Sequence, residues 1–233
     1  MMTANKSPLF NAVLRSVALI LQESEGAHDL DHTLRVLNNA VLLAEEENLS
    51  AWDRQILFLS CLLHDCARPE EFRSGGKLCH AQLGGPKAEK ILRELSCTDE
   101  ELIRLVSQAV TRHRYRGKEL PVTRIDKLLY DADKLDSIGA VGIGRAFHFA
   151  GRIGARLHNT EEEALSSEAY TREDSAYREY LVKLRHVAGR ILTGSGKRFA
   201  EERSAFMEEF FRELKKEVSF SKELFMEKEG CGT

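Results

Sequence analysis

Four places in the 233-residue chain gather side chains able to ligate a metal: His28-Asp29-Leu30-Asp31-His32, His64-Asp65, the separate His80 and His113, and Asp131-Ala132-Asp133-Lys134-Leu135-Asp136. The doublet His64-Asp65 says most. It closes the most apolar stretch of the chain, after Ile56, Leu57, Leu59, Cys61, Leu62 and Leu63. A carboxylate buried there without a partner is costly, and an imidazole beside it makes a metal cation a natural partner. Neighbours on a helix point about 100° apart, so both reach one ion only where the helix ends. Alone, the doublet reads better as Asp65 capping or pairing with Arg68 and His64 as a hydrogen-bonded core histidine. Its company tips the balance toward a metal. His32 stands on the preceding apolar segment, and three acidic residues fall within six positions beside Leu128, Leu129, Ile138 and Val141, which a merely solvated face does not explain.

The elements that must position these residues are helical. Strand-like alternation is scarce, prolines number four, and apolar residues recur at helical spacing. Helices are predicted over 8–23 and 31–47, the second with Leu34, Leu37, Val41 and Leu42 on one face. Ser50 and Asp53 form a capping-box-like start for a buried helix that should end near Arg68-Pro69, because Pro69 disfavours helix at the residue before it. A loop at 69–80 follows, then helices near 86–95, 98–113, 124–147, 172–193 and 197–218, with an acidic surface segment at 151–171. The fold class expected is all-α, one domain over 1–218. Its metal core spans about 28–147, the C-terminal helices of about 172–218 pack on it, and 219–233 form a frayed tail.

Composition narrows the function. A net charge of -3 with dispersed basic residues gives no reason to expect extended nucleic acid or a membrane surface as partner. The apolar run at 9–21 is interrupted by Asn11 and Arg15, lacks a cleavage site and is too short to span a bilayer. Five cysteines, odd in number and without CxxC spacing, read as reduced thiols of a cytoplasmic protein. Cys61, Cys66 and Cys79 with His80 match no recognised zinc spacing.

Three segments together, HDLDHTLRV at 28–36, CLLHDCAR at 61–68 and DADKLDSIGAVGIGR at 131–145, resemble the HD superfamily, whose pattern is H…HD…D on a helical bundle. LTGSGKRFAEERSAFMEEF at 192–210 is similar to the closing helix of a small bacterial branch of HD hydrolases, so the resemblance runs over roughly 10–218. It implies that His32, His64, Asp65 and Asp133 are metal ligands, with Asp131 the alternative to Asp133. Such a nitrogen and oxygen set suits one divalent transition ion, Mn, Fe, Co, Ni or Zn. In two-metal relatives extra histidines between the doublet and the last aspartate bind a second ion. His80 and His113 occupy comparable stretches, with substrate contact as their other role, while His28 could orient His32.

The chemistry implied is hydrolysis of a phosphoester or phosphoanhydride of a small molecule, with a nucleotide as the expected substrate and Asp65, Arg68 and Lys134 in catalytic roles. Arg68 takes the place where relatives often carry lysine, and Lys134 follows Asp133 directly. Arg35, one turn after His32, and Arg145 are candidate phosphate contacts, with Lys77 a weaker one. A homo-oligomer is compatible with this reading. Its rivals are a nucleotide- or metal-binding regulatory module without turnover, and a di-iron oxygenase on the same scaffold, which would need His80 and His113 as ligands.

Overall fold

A computed structural model describes residues 7–22, 29–114 and 119–226, with side chains as far as 219; His28 and Cys231 lie outside the described residues. All regular elements among the described residues are helical. The chain divides into two compact units, Met1–Asp136 with Ile191–Gly196, and Ser137–Arg190 with Lys197–Thr233.

The first unit contains α1 (Pro8–Leu21), α2 (Leu30–Glu46), α3 (Ala51–Leu63), α4 (Arg68–Arg73), α5 (His80–Glu94), α6 (Glu100–Arg112) and α7 (Arg124–Leu135). Polar caps set their starts: Ser7, Asp29, Ser50, Asp99 and Thr123 each accept a backbone N–H from the first turn of the helix they open. Helix α3 is buried along its whole second half, Ile56 to Leu63, and packs against α1, α2, α6 and α7. Asn39 on α2 donates to the Ala132 carbonyl of α7 at 3.0 Å, which fixes those two helices against each other.

Several sequence expectations change. The predicted apolar face of α2 is the wrong one. Leu34 and Leu42 are exposed, and the buried face is His32, Thr33, Val36, Asn39, Ala40, Leu43 and Ala44. It carries three polar residues, His32, Thr33 and Asn39, because each meets a hydrogen-bonding partner. The expected loop after Pro69 is partly helical, since proline at N1 or N2 needs no backbone donor and starts α4. Helix α5 begins at His80, with Pro86 inside it rather than ahead of it.

The predicted helix 124–147 is two helices, α7 and α8 (Gly139–Arg152), broken where Gly139 takes a left-handed φ of +74°. The break coincides with the boundary between the units after Asp136. The second unit holds α8, α9 (Glu161–Ser166), α10 (Ala176–Val182), two 3₁₀ turns at Leu184–His186 and Ala188–Arg190, and most of α11 (Gly194–Met226). The acidic segment at 151–171 contains α9, started by a Thr160–Glu163 capping box. The expected helix 172–193 is instead α10 and the two turns, interrupted at Lys183, whose backbone is not helical. Within this unit Phe211 stacks on Tyr180 with ring centroids 4.5 Å apart.

Candidate metal centre

Helix ends deliver the ligating side chains. His32 lies in the first turn of α2, where Asp29 caps its own backbone N–H at 2.8 Å. His64 is the C-cap of α3 and His113 the C-cap of α6. Each uses its ring to satisfy a carbonyl that the helix end leaves without an intrahelical donor. Nδ1 of His64 donates to the Cys61 carbonyl at 2.7 Å, and Nδ1 of His113 to that of Val110 at 2.6 Å. His80 opens α5, and Asp133 stands in the last turn of α7.

The other two histidines are held by carboxylates. Nδ1 of His32 meets Oδ2 of Asp136 at 2.7 Å, and Nδ1 of His80 meets Oε2 of Glu71 at 2.7 Å. Carbonyl and carboxylate oxygens only accept, so all four Nδ1 atoms carry the proton. All four Nε2 atoms are left to face one another. His32 Nε2 and His64 Nε2 are 3.3 Å apart, and His80 Nε2 and His113 Nε2 are 3.1 Å apart. All four rings are buried.

Ring nitrogens at such distances, inside an apolar shell and beside carboxylates, call for a positive charge between them, which a metal ion or a proton on Nε2 supplies. His32, His64 and Asp133 offer ligand atoms within 4.8 Å of one another, and so do Asp65, His80 and His113. Asp65 spans both groups. Its Oδ2 is 3.6 Å from His32 Nε2 and 3.4 Å from His64 Nε2, while Oδ1 is 3.3 Å from His80 Nε2. The donor set fits divalent transition ions, with imidazole and carboxylate in each group.

Electrostatics agree with this geometry. Burial disfavours the His32 imidazolium, but hydrogen bonds to Asp133 and Asp136 outweigh it and raise its pKa to about 9. For His80 and His113 burial dominates and lowers the pKa to about 3, so both are neutral at any physiological pH. Burial works against the Asp133 carboxylate too, yet Lys134 and His32 more than compensate and hold it well below the usual range. The thiols beside the doublet are inert, burial pushing Cys66 up to about 12.

The remaining sequence candidates find different places. Asp131 is fully buried and turned to the chain at 191–196. Its carboxylate accepts Leu192 N at 2.8 Å, Thr193 N at 2.8 Å and the Thr193 hydroxyl at 2.6 Å. That is a structural role, and Asp131 belongs to neither ligand group. Arg35 grips Asp136 through Nε at 2.6 Å and Nη2 at 3.2 Å. Arg68 holds Asp65 Oδ1 at 2.8 Å and Glu71 Oε2 at 2.7 Å, so the pairing of Asp65 with Arg68 coexists with the metal geometry. Lys134 lies on Asp133 Oδ2 at 2.6 Å and keeps a third of its surface exposed. Lys77 is exposed ahead of α5, and Arg145 lies on α8 in the second unit.

Sequence reasoning missed Glu71, Arg114 and the orienting part of Asp136. The Arg68–Glu71 spacing of i,i+3 was the available signal, hidden because that stretch reads as loop.

Comparison with known proteins agrees with the fold. An HD domain model matches residues 29–138. The protein YpgQ of Bacillus subtilis is 30% identical over 210 residues, covering 87% of this chain and 90% of YpgQ. The crystal structure of YpgQ in complex with ADP superposes with a TM-score of 0.64 at 28% identity, over 90% of this chain and 94% of that one. A crystal structure of an HD-superfamily hydrolase from Bacillus thuringiensis gives a TM-score of 0.69 at 27% identity, over 90% and 96%. With the H…HD…D residues brought together on a helical unit and a relative matched along nearly its whole length, the chain belongs to the HD superfamily.

Proposed function

We propose that the protein is a phosphohydrolase that holds two divalent transition ions, one at His32, His64 and Asp133 and one at His80 and His113, with Asp65 shared between them. The observation that carries this reading is the convergence of four Nδ1-protonated histidines on two carboxylates, with every Nε2 aimed inward. Ions held there supply Lewis acidity toward water and a phosphoryl oxygen. The chain supplies the rest. Orienting bonds on each Nδ1 fix ring direction and raise ligand basicity. Lys134, part-exposed beside Asp133, is the side chain best placed to take a substrate oxygen, and it acts as a mobile point charge.

A nucleotide is the proposed substrate class, supported by the YpgQ complex with ADP. Arg35 and Arg68 leave the phosphate-contact role for that of clamping carboxylates. The test is elemental analysis of the purified protein, followed by assays of phosphate and pyrophosphate release from nucleotides and generic phosphoesters. Hydrolysis that is abolished by a chelator and restored by Mn supports the reading. Metal without turnover across the panel would favour a regulatory module.

A second reading has one specific observation behind it. A di-iron oxygenase requires His80 and His113 beside the doublet, and they are there. Iron at two per chain with substrate-dependent oxygen uptake would select it.

A further inference from the structure

We propose that Glu71 is the positioning residue of the second metal position, the carboxylate that fixes the proton and direction of His80 and thereby sets how tightly Asp65, His80 and His113 hold an ion. The proposal rests on the two-ion reading above. Helix α4 places Arg68 and Glu71 one turn apart on one face. Glu71 Oε2 accepts from Nδ1 of His80 at 2.7 Å and from Nη1 of Arg68 at 2.7 Å, and Oε1 accepts from Nη1 of Arg114 at 3.3 Å. Arg68 also holds Asp65, the shared ligand, at 2.8 Å. One guanidinium therefore links the carboxylate behind His80 to the carboxylate in front of it.

The arrangement repeats that of the other half of the centre. There Asp136 stands behind His32, and Arg35 clamps Asp136 with two nitrogens. In each half one histidine is held by a helix-end carbonyl and its neighbour by a carboxylate with arginine behind it. The halves differ in shelter. Asp136 is 1% exposed and Glu71 19%.

The experiment is a titration of chelator-treated protein with Mn²⁺ by calorimetry, with electron paramagnetic resonance to detect spin-coupled ion pairs. Wild type is expected to take two ions per chain and show the coupled signal. Glu71→Ala is expected to keep the first ion and bind the second about 10–100-fold more weakly, the range for loss of an orienting carboxylate. Glu71→Gln, whose amide oxygen still accepts from His80, falls between the two. Two ions at unchanged affinity in Glu71→Ala, with or without a lower melting temperature, overturn the positioning role and leave the two-ion reading intact. One ion in wild type overturns the two-ion reading and this proposal with it. If circular dichroism shows Glu71→Ala unfolded, Glu71→Gln decides, and wild-type affinity for the second ion in that variant overturns the proposal.

Discussion

Two aspartates two positions apart do opposite work. Asp131 and Asp133 lie within one turn of α7 but about 200° apart around it, so they cannot share a direction. Asp131 spends its carboxylate on two backbone N–H groups and a hydroxyl, and Asp133 presents Oδ1 to His32 Nε2 at 3.5 Å. Asp131→Asn is expected to keep metal and lose about 2 kcal/mol of stability, the scale of hydrogen bonds to a buried charge, measured by urea unfolding. Asp133→Asn is expected to lose metal by elemental analysis with a smaller change in stability. The reverse ranking would move the ligand to Asp131. Lys134 makes a separate case. Lys134→Ala should retain both ions and raise KM for a nucleotide at least tenfold at low salt, as removal of a charge-assisted contact worth about 1.5–3 kcal/mol would. Unchanged KM would leave Lys134 a partner of Asp133 and nothing more.

At the scale of elements, the centre depends on how closely α5 meets α6, since His80 begins one and His113 ends the other. Gly84 and Gly85 permit that approach. A Cβ on Gly85 would stand 2.0 Å from Thr111 Oγ1 and 2.9 Å from the Ser107 carbonyl oxygen, so backbone as well as side chain must give way. Gly85→Ala is expected to cost about 1–3 kcal/mol by overpacking and to weaken the second ion without touching a ligand. Unfolding curves and Mn²⁺ titration read the two effects separately. Much of this level was legible in the sequence. Periodicity gave the helical class and starts at 31 and 124, close to those of α2 and α7, and the Ser50–Asp53 pair gave the start of α3, because those signals are local. The buried face of α2 was not legible, because His32 and Asn39 are buried by partners far away in sequence, Asp136 and Ala132. The break at Gly139 was missed for a related reason, since one apolar periodicity runs through both helices. His64 and Asp65 could be read from local chemistry; Glu71 could not, since only tertiary structure brings it to His80.

Across the whole molecule the charges nearly cancel, 34 basic against 37 acidic, and the same holds for the centre. Asp65, Asp133, Asp136 and Glu71 are each in contact with at least one of Arg68, Lys134, Arg35 and Arg114. Divalent ions therefore add net positive charge to a balanced cluster, which suits a polyanionic substrate without a basic surface around it. That balance gives the metal-free protein a pH signature. The native pKa of His32 is raised to about 9 from 6.5, so its stabilisation is complete below 6.5 and is lost as pH rises through 9. His80 and His113 are lowered to about 3, so in the unfolded chain they take up protons below 6.5 while the native protein does not. Their effect is a loss of stability as pH falls from 6.5. Chelator-treated protein is thus expected to be most stable near pH 6.5 and to weaken on both sides, followed by urea unfolding across a pH series. Adding Mn²⁺ should change the alkaline side most. An ion needs His32 without its Nε2 proton, so the stabilisation conferred by metal should grow as pH rises toward 9. A stability difference between loaded and metal-free protein that stays constant over that range would show that no proton leaves His32 when the ion binds.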